Sequence, residues 1–243
     1  MTPVRICLWS GPRNVSTAVM YAFRQRSDTS VVDEPLYAHY LAATGVRHPA
    51  VQDVISAQDC DGDHVVETIV LGPSPTPVRF FKHMAHHLVD LDLAFIDQVE
   101  NVLLARDPVE MLPSLVNQLP NPTLEGTSLP MQVRLLDRIE RSGRDPIVLD
   151  SRLLLKNPAG VLEELCRRLG IEFEQQMLSW PPGPKPEDGV WAPHWYHNVH
   201  RSTGFEPYVR KHDPVPGHLI ALLAECRPLY RRLVEHAITG SKA

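Results

Sequence analysis

Cysteine is sparse in this 243-residue sequence: Cys7, Cys60, Cys166 and Cys226 stand far apart, with no C-x-x-C pair. That spacing offers neither a disulfide scaffold nor a zinc site, and free buried thiols in a reducing compartment are expected. No apolar run approaches the roughly 20 residues that a bilayer crossing needs. The first residues run straight into a strand pattern rather than a signal peptide, so a cytoplasmic protein without a membrane partner is expected. Positive charge is also short. With 24 Lys and Arg against 29 Asp and Glu, the net charge of −5 excludes the basic face of a general nucleic-acid binder. Repeats, low-complexity tracts and His/Cys/Asp clusters at metal-ligand spacing are missing too. The tandem His86-His87 would not share a helix face, and no metal is expected. The remaining composition, 43% apolar and 22% charged, fits one α/β domain over residues 1–243 with a large core.

Strand patterns fall at residues 4–9, 30–32, 78–82, 101–105 and 146–149. Helical patterns fall at 15–25, 108–117, 129–142, 158–169 and 217–237. This alternation predicts a three-layer α/β fold, a parallel sheet with helices on both faces. Residues 37–63 read as loosely helical. Residues 180–216 are rich in Pro, Trp, His and Gly, and a connection that long inside a domain is functional or disordered. Its aromatics favour an ordered lid, although Trp191 and Trp195 would equally serve to plug a core edge.

The first strand breaks into Ser10-Gly11-Pro12-Arg13-Asn14-Val15-Ser16-Thr17 and then a helix. A strand, a tight polar loop and a helix N-terminus make an anion site, because unpaired N–H groups and the helix dipole converge there. Arg13 adds a guanidinium, and Ser16 and Thr17 add hydroxyls. The loop is not a Walker motif: Ser16 stands where the second glycine belongs and Thr17 where the lysine belongs. Without a ligand, Ser16 or Asn14 would simply cap the helix. A second anion element follows the 101–105 strand, where Arg106-Asp107-Pro108 enters a helix carrying Ser114. Ligands of open parallel sheets bind at strand carboxyl ends, which would bring Arg106 and Ser114 to the mouth of the first loop. The plain alternative is a surface Arg106–Asp107 pair and an exposed Ser114.

A strand-loop-helix without a Walker lysine, followed by Arg-Asp-Pro with Ser eight residues after the Arg, resembles the sulfotransferases that use 3′-phosphoadenosine 5′-phosphosulfate (PAPS). The resemblance is to the divergent bacterial and carbohydrate-type branch, and it implies the P-loop NTPase-like sulfotransferase fold. By resemblance, Arg13, Asn14, Val15, Ser16 and Thr17 hold the 5′-phosphosulfate, and Arg106 and Ser114 hold the 3′-phosphate. His200-Arg201-Ser202-Thr203-Gly204 resembles the family's late loop that closes over the 3′-phosphate. Asp150-Ser151-Arg152-Leu153-Leu154 with Asn157-Pro158 resembles its later strand-to-helix connection. Trp9-Ser10-Gly11-Pro12-Arg13-Asn14-Val15-Ser16-Thr17 and Asp33-Glu34-Pro35-Leu36-Tyr37-Ala38 resemble a group of small sulfotransferase-like proteins, some labelled aminotransferase-like. No lysine stands in a context that marks a pyridoxal phosphate Schiff base.

Sulfuryl transfer, like phosphoryl transfer, passes through a loose in-line transition state, so catalysis is positioning and charge stabilisation. Arg13, then Lys82, is the expected cation at the leaving oxygen. The general base is expected to be Glu34, at the end of the second strand. His83 resembles the Lys-x-His of cytosolic sulfotransferases but comes one residue early, which would turn it to the other face of its strand. His86 or His87 would replace it, with His197 and His200 further possibilities. Lys185 and the aromatic run 191–196 would cover acceptor and adenine. The expected activity is PAPS-dependent transfer to a small soluble acceptor's hydroxyl or amine. The alternatives are a nucleoside or nucleotide kinase and a non-catalytic nucleotide-binding protein. Acceptor identity and oligomeric state are not legible in the sequence.

Overall fold

Five parallel strands, β1 (Val4–Ser10), β2 (Thr29–Asp33), β3 (Val78–Met84), β4 (Glu100–Ala105) and β5 (Ile147–Asp150), pair in the order β2-β3-β1-β4-β5. The computed structural model describes residues 3–210 and 213–240. β1 is central because it is apolar on both faces, as a strand covered on both sides must be. Ile6 and Leu8 turn to one layer of helices, Cys7 and Trp9 to the other.

The first layer holds α1 (Ser16–Arg24), α7 (Ser151–Lys156) and α8 (Pro158–Arg168), packed through Val19, Phe23, Leu154, Leu162 and Leu165. The second holds α6 (Leu129–Arg141) and α11 (Ile220–Val234), packed through Leu135, Leu136, Cys226 and Leu233. Between them in sequence lie α2 (Tyr37–Thr44), α3 (Val51–Ala57), α4 (Gly62–Val65) and α5 (Pro108–Leu115). This is the three-layer α/β architecture, a parallel sheet with helices on both faces, that the strand–helix alternation predicts.

Two segments differ from the sequence reading. Residues 151–156 form a helix of their own rather than a connection. Asp150 accepts from the amides of Arg152 and Leu153, and Asn157, with Pro158 behind it, ends one helix and caps the next. The 180–216 stretch contains α9 (Ala192–Trp195) and α10 (His197–Arg201), with positions 211 and 212 outside the described residues. Trp191 is buried against Tyr37 of α2, their rings edge to face at 5.1 Å, so this tryptophan does plug a core edge.

Because all five strands are parallel, the loop after β1, Glu34 after β2, Lys82 near the end of β3 and Arg106 after β4 emerge at one edge of the sheet. The β2–β3 register sets Asp33 directly beside Lys82.

Candidate functional site

The loop after β1 is held from below and open above. A Cβ on Gly11 would lie 2.7 Å from the carbonyl oxygen of Thr127, so only glycine lets the loop pass that turn. Asn14 anchors the loop: its Nδ2 donates to the carbonyl of Leu104 at 3.2 Å, and its Oδ1 accepts from the amide of Ser16 at 3.0 Å. Arg13 takes a left-handed conformation with φ 56°, rare for a residue with a side chain. The N-cap residue Val15 supplies no side-chain cap. The first-turn amides of Thr17 and Ala18 therefore have no intrahelical partner and sit beside a cavity these residues line.

That cavity, of about 240 Å³, is also lined by Arg106, Ser114, Trp195, Ser202 and Gly204. The Arg13 Nε donates to Ser114 Oγ at 3.0 Å, and the Arg106 guanidinium donates to the carbonyl of Arg13. Loop and second element are thus physically joined. Burial lowers the proton affinity of both guanidiniums, and Arg106 lowers that of Arg13 further by repulsion. Arg106 has Glu110 at 3.8 Å, while Arg13 forms no ion pair among the described residues. Arg13 and Arg106 line this cavity with Glu206, and only Arg106 has a carboxylate within 4 Å, so among the described residues the Arg13 guanidinium is the charge left without an ionic partner, a feature that suits an anion.

A second cavity, of about 150 Å³, shares Arg13, Asn14, Thr17, Trp195 and Tyr196 with the first. Tyr37, Tyr40, Trp191, His48, His86 and His87 wall it, and Glu34 closes one side. Glu34 is left-handed at φ 40°, and its amide still pairs with the carbonyl of Lys82 at 2.8 Å. The buried Lys82 Nζ donates to Asp33 Oδ1 at 2.8 Å, Glu34 Oε1 at 2.5 Å and the Tyr196 hydroxyl at 2.5 Å. Burial alone would lower the Lys82 pKa, but Asp33 and Glu34 hold it well above the ordinary lysine value. Glu34 is shifted upward: burial and the Asp33 charge outweigh the attraction of Lys82. His86 is pushed down to about 3 by burial and by His48, and His87 lies well below its usual value by burial and its imidazole neighbours. These rings are neutral at pH 7.

A family profile described as a sulfotransferase domain matches residues 4–236. The chain belongs to the sulfotransferase domain family. It is 38% identical over 229 residues to branched-chain-amino-acid aminotransferase-like protein 2 of Arabidopsis thaliana, covering 94% of this chain and 41% of that protein. Protein 1 of the same name is 39% identical over 235 residues, 96% of this chain and 42% of the relative. The chain therefore spans about two fifths of the length of these curated relatives. Among solved structures, the sulfotransferase domain of the Synechococcus PCC 7002 olefin synthase superposes with TM-score 0.56 at 16% identity, over 92% of this chain and 94% of that one. A sulfotransferase from Alicyclobacillus acidocaldarius gives 0.53 at 11%, over 97% and 96%. At such identities the likeness is one of fold.

In this sulfotransferase domain, Arg13, Asn14, Val15, Thr17, Arg106 and Ser114 line one cavity, and Ser16 lines the neighbouring one. Glu34 and Lys82 meet beside them. His83 does not join them. It lies on the opposite face of β3, stacked on Trp9 at 4.3 Å, with both ring nitrogens buried and without a partner, and it is pushed down to about 3 by burial and by Lys82. The one-residue offset from Lys82 is the reason. Of the late loop, Ser202 and Gly204 reach the cavity, but Arg201 and Thr203 do not line it. Arg201 projects from α10 into solvent, bonded to Asn198 at 2.9 Å, and the Thr203 carbonyl accepts from the amide of Trp180 at 3.0 Å. Lys185 bonds the carbonyls of Pro181 and Gly183, and His200 bonds Asp188, so both serve the loop itself. In the sequence, Asp33 has only a place in a motif and Tyr196 only a place in the aromatic run 191–196, and nothing links either to Lys82. For Asp33 a signal existed, a second carboxylate beside Glu34 at a strand end. Tyr196 had none, because its partners lie 114 and 163 residues away in sequence. No helix among the described residues is long and apolar enough to cross a membrane. No group of three or more His, Cys, Asp or Glu that could hold a metal occurs among them.

Proposed function

We propose that this chain transfers a sulfuryl group from PAPS to a hydroxyl or amine of a small acceptor. The observation that carries this is the pair of guanidiniums, Arg13 and Arg106, lining one cavity beside a helix N-terminus whose Thr17 and Ala18 amides have no intrahelical partner, with Arg13 free of any ion pair among the described residues. A nucleotide phosphorylated at both its 3′ and 5′ positions fits that donor set. PAPS would bring the activated sulfuryl group and a phosphate leaving group. Residues 13–17 would hold its 5′ end, and Arg106 and Ser114, with Ser202 and Gly204 on the far wall, its 3′-phosphate.

Arg13 stands where the two cavities meet and would stabilise the charge that grows on the leaving oxygen. Glu34 would take the acceptor's proton through Oε2, the carboxylate oxygen that no described residue binds, an effect worth about 10²–10⁴-fold in rate. Lys82 has all three N–H bonds engaged, so its part would be to hold Glu34 rather than touch the donor. The size of the second cavity suits a small acceptor, and its walls of rings and neutral imidazoles suit an uncharged one.

Thermal unfolding with adenosine 3′,5′-bisphosphate against AMP, ADP and ATP, with and without magnesium, tests the reading. A ligand at 100 times its dissociation constant stabilises by about 2.7 kcal/mol, and at equal concentration the bisphosphate should stabilise well beyond AMP, ADP or ATP. Stabilisation by ATP with magnesium, but not by the bisphosphate, would replace this reading with a kinase. Bisphosphate binding without turnover of any acceptor would leave a nucleotide-binding protein.

A further inference from the structure

Around Lys82 every polar atom but one is spent. Its three N–H bonds go to Asp33, Glu34 and Tyr196. The Tyr196 hydroxyl accepts from Lys82 and from Trp191 Nε1 at 3.1 Å, and donates to Asp33 Oδ2 at 2.7 Å. That completes the one donor and two acceptor positions of a phenol. Asp33 Oδ2 also accepts from the amide of Gly189 at 3.2 Å. Only Glu34 Oε2 takes no hydrogen bond from a described residue, and its side chain keeps 9% of its surface exposed, on the wall of the second cavity.

We propose that Tyr196 is a positioning residue: by holding Lys82 between Asp33 and Glu34, it fixes Glu34 Oε1 and leaves Oε2 as the carboxylate oxygen open to the cavity. The inference rests on the reading of Glu34 as the general base. Its physical content is a competition. Asp33 and Glu34 share one ammonium, and the Tyr196 hydroxyl satisfies part of Asp33's demand. Without that hydroxyl, Asp33 Oδ2 loses a donor and draws Lys82 toward itself. Glu34 then loses the attraction that keeps its proton off. The groups that face Glu34 are Asp33 from the same turn, Lys82 from β3, Tyr37 from α2 and Tyr196 from the lid. Arg13, His48, His86 and His87 share its cavity. Of these, Tyr196→Phe changes one hydroxyl and no charge.

The test is carboxyl ¹³C NMR of protein labelled in glutamate, with the Glu34 signal assigned by its loss in Glu34→Gln. In Tyr196→Phe, the Glu34 titration midpoint should rise by at least about half a pH unit. In Asp33→Asn, it should fall, because Lys82 then serves Glu34 alone and the neighbouring negative charge is gone. Binding of adenosine 3′,5′-bisphosphate, measured alongside, reports that each variant is folded. If Tyr196→Phe does not fold, the direction of the Asp33→Asn shift decides. An unmoved midpoint in a folded Tyr196→Phe, or an unmoved or rising midpoint in Asp33→Asn, overturns the inference. Full turnover in Glu34→Gln would instead remove the base assignment while leaving the titration results to stand for themselves.

Discussion

The two cavities that meet at Arg13 are built on opposite electrostatic plans. On the Arg106 side, Arg13 is held by the neutral Ser114 hydroxyl and forms no ion pair among the described residues, while Arg106 divides between the Arg13 carbonyl and Glu110 at 3.8 Å. On the Glu34 side, the ammonium of Lys82 is wrapped by two carboxylates and a phenol. A site short of negative charge waits for an anion to complete it. A site whose one ammonium is already shared by two carboxylates has no cation to offer a further anion and can instead tune a proton. Under the proposed function, the Arg106 side would take the doubly phosphorylated donor and the Glu34 side the acceptor and its proton.

The sharpest way to break that division is Glu34→Gln. It should cost at least about a hundredfold in turnover, the lower end of general-base contributions, while affinity for adenosine 3′,5′-bisphosphate by calorimetry stays as in the parent protein. A matching loss of nucleotide affinity would mean that the two sides are not separate.

Arg106→Ala probes the other side. Removing a charge-assisted contact to phosphate should weaken adenosine 3′,5′-bisphosphate binding by about tenfold to a hundredfold. Adenosine 5′-phosphate, which lacks the 3′ group, should bind unchanged. Equal losses for both nucleotides would move Arg106 away from the 3′ end.

The smallest effect is expected from His83→Phe, directed at a residue that belongs to neither side. Its imidazole is buried without partners and titrates near 3, far below the unfolded value of about 6.5. Between those limits the unfolded chain binds the extra proton. This histidine therefore costs stability as pH falls below about 6.5, by up to about 1.4 kcal/mol per pH unit, and costs nothing above it. The variant should turn over normally and lose less stability than the parent between pH 7 and pH 5 in urea unfolding. A large fall in activity would return His83 to the mechanism.

Legibility in the sequence followed the range of the interactions. All five strands and five of the helices were readable from local periodicity, with ends displaced by one to three residues. The donor-side residues were readable for a similar reason: a strand-loop-helix is a contiguous signal, and Arg106 and Ser114 are eight positions apart. Helix 151–156 was missed because it is short and bounded by its own caps. In the late loop two of the expected residues stay out of the cavity: Arg201, which carries the basic character of the motif, points into solvent from α10, and Thr203 is turned away beside it. The place of Tyr196 beside Lys82 was not legible, because nothing in Trp195-Tyr196-His197 says that the middle ring will find Asp33 and Lys82.

The sequence alone determined that a polar strand-loop-helix turn and an Arg/Ser element stand after strands of a parallel sheet, since backbone amides, caps and guanidiniums act within a few residues of where they are written. The tertiary structure decided which oxygen of which carboxylate is left open. A hydrogen-bond network spanning β2, β3 and residues 189–196 exists only after the chain has packed, and the balance of charge within it is a property of distances the chain order does not contain.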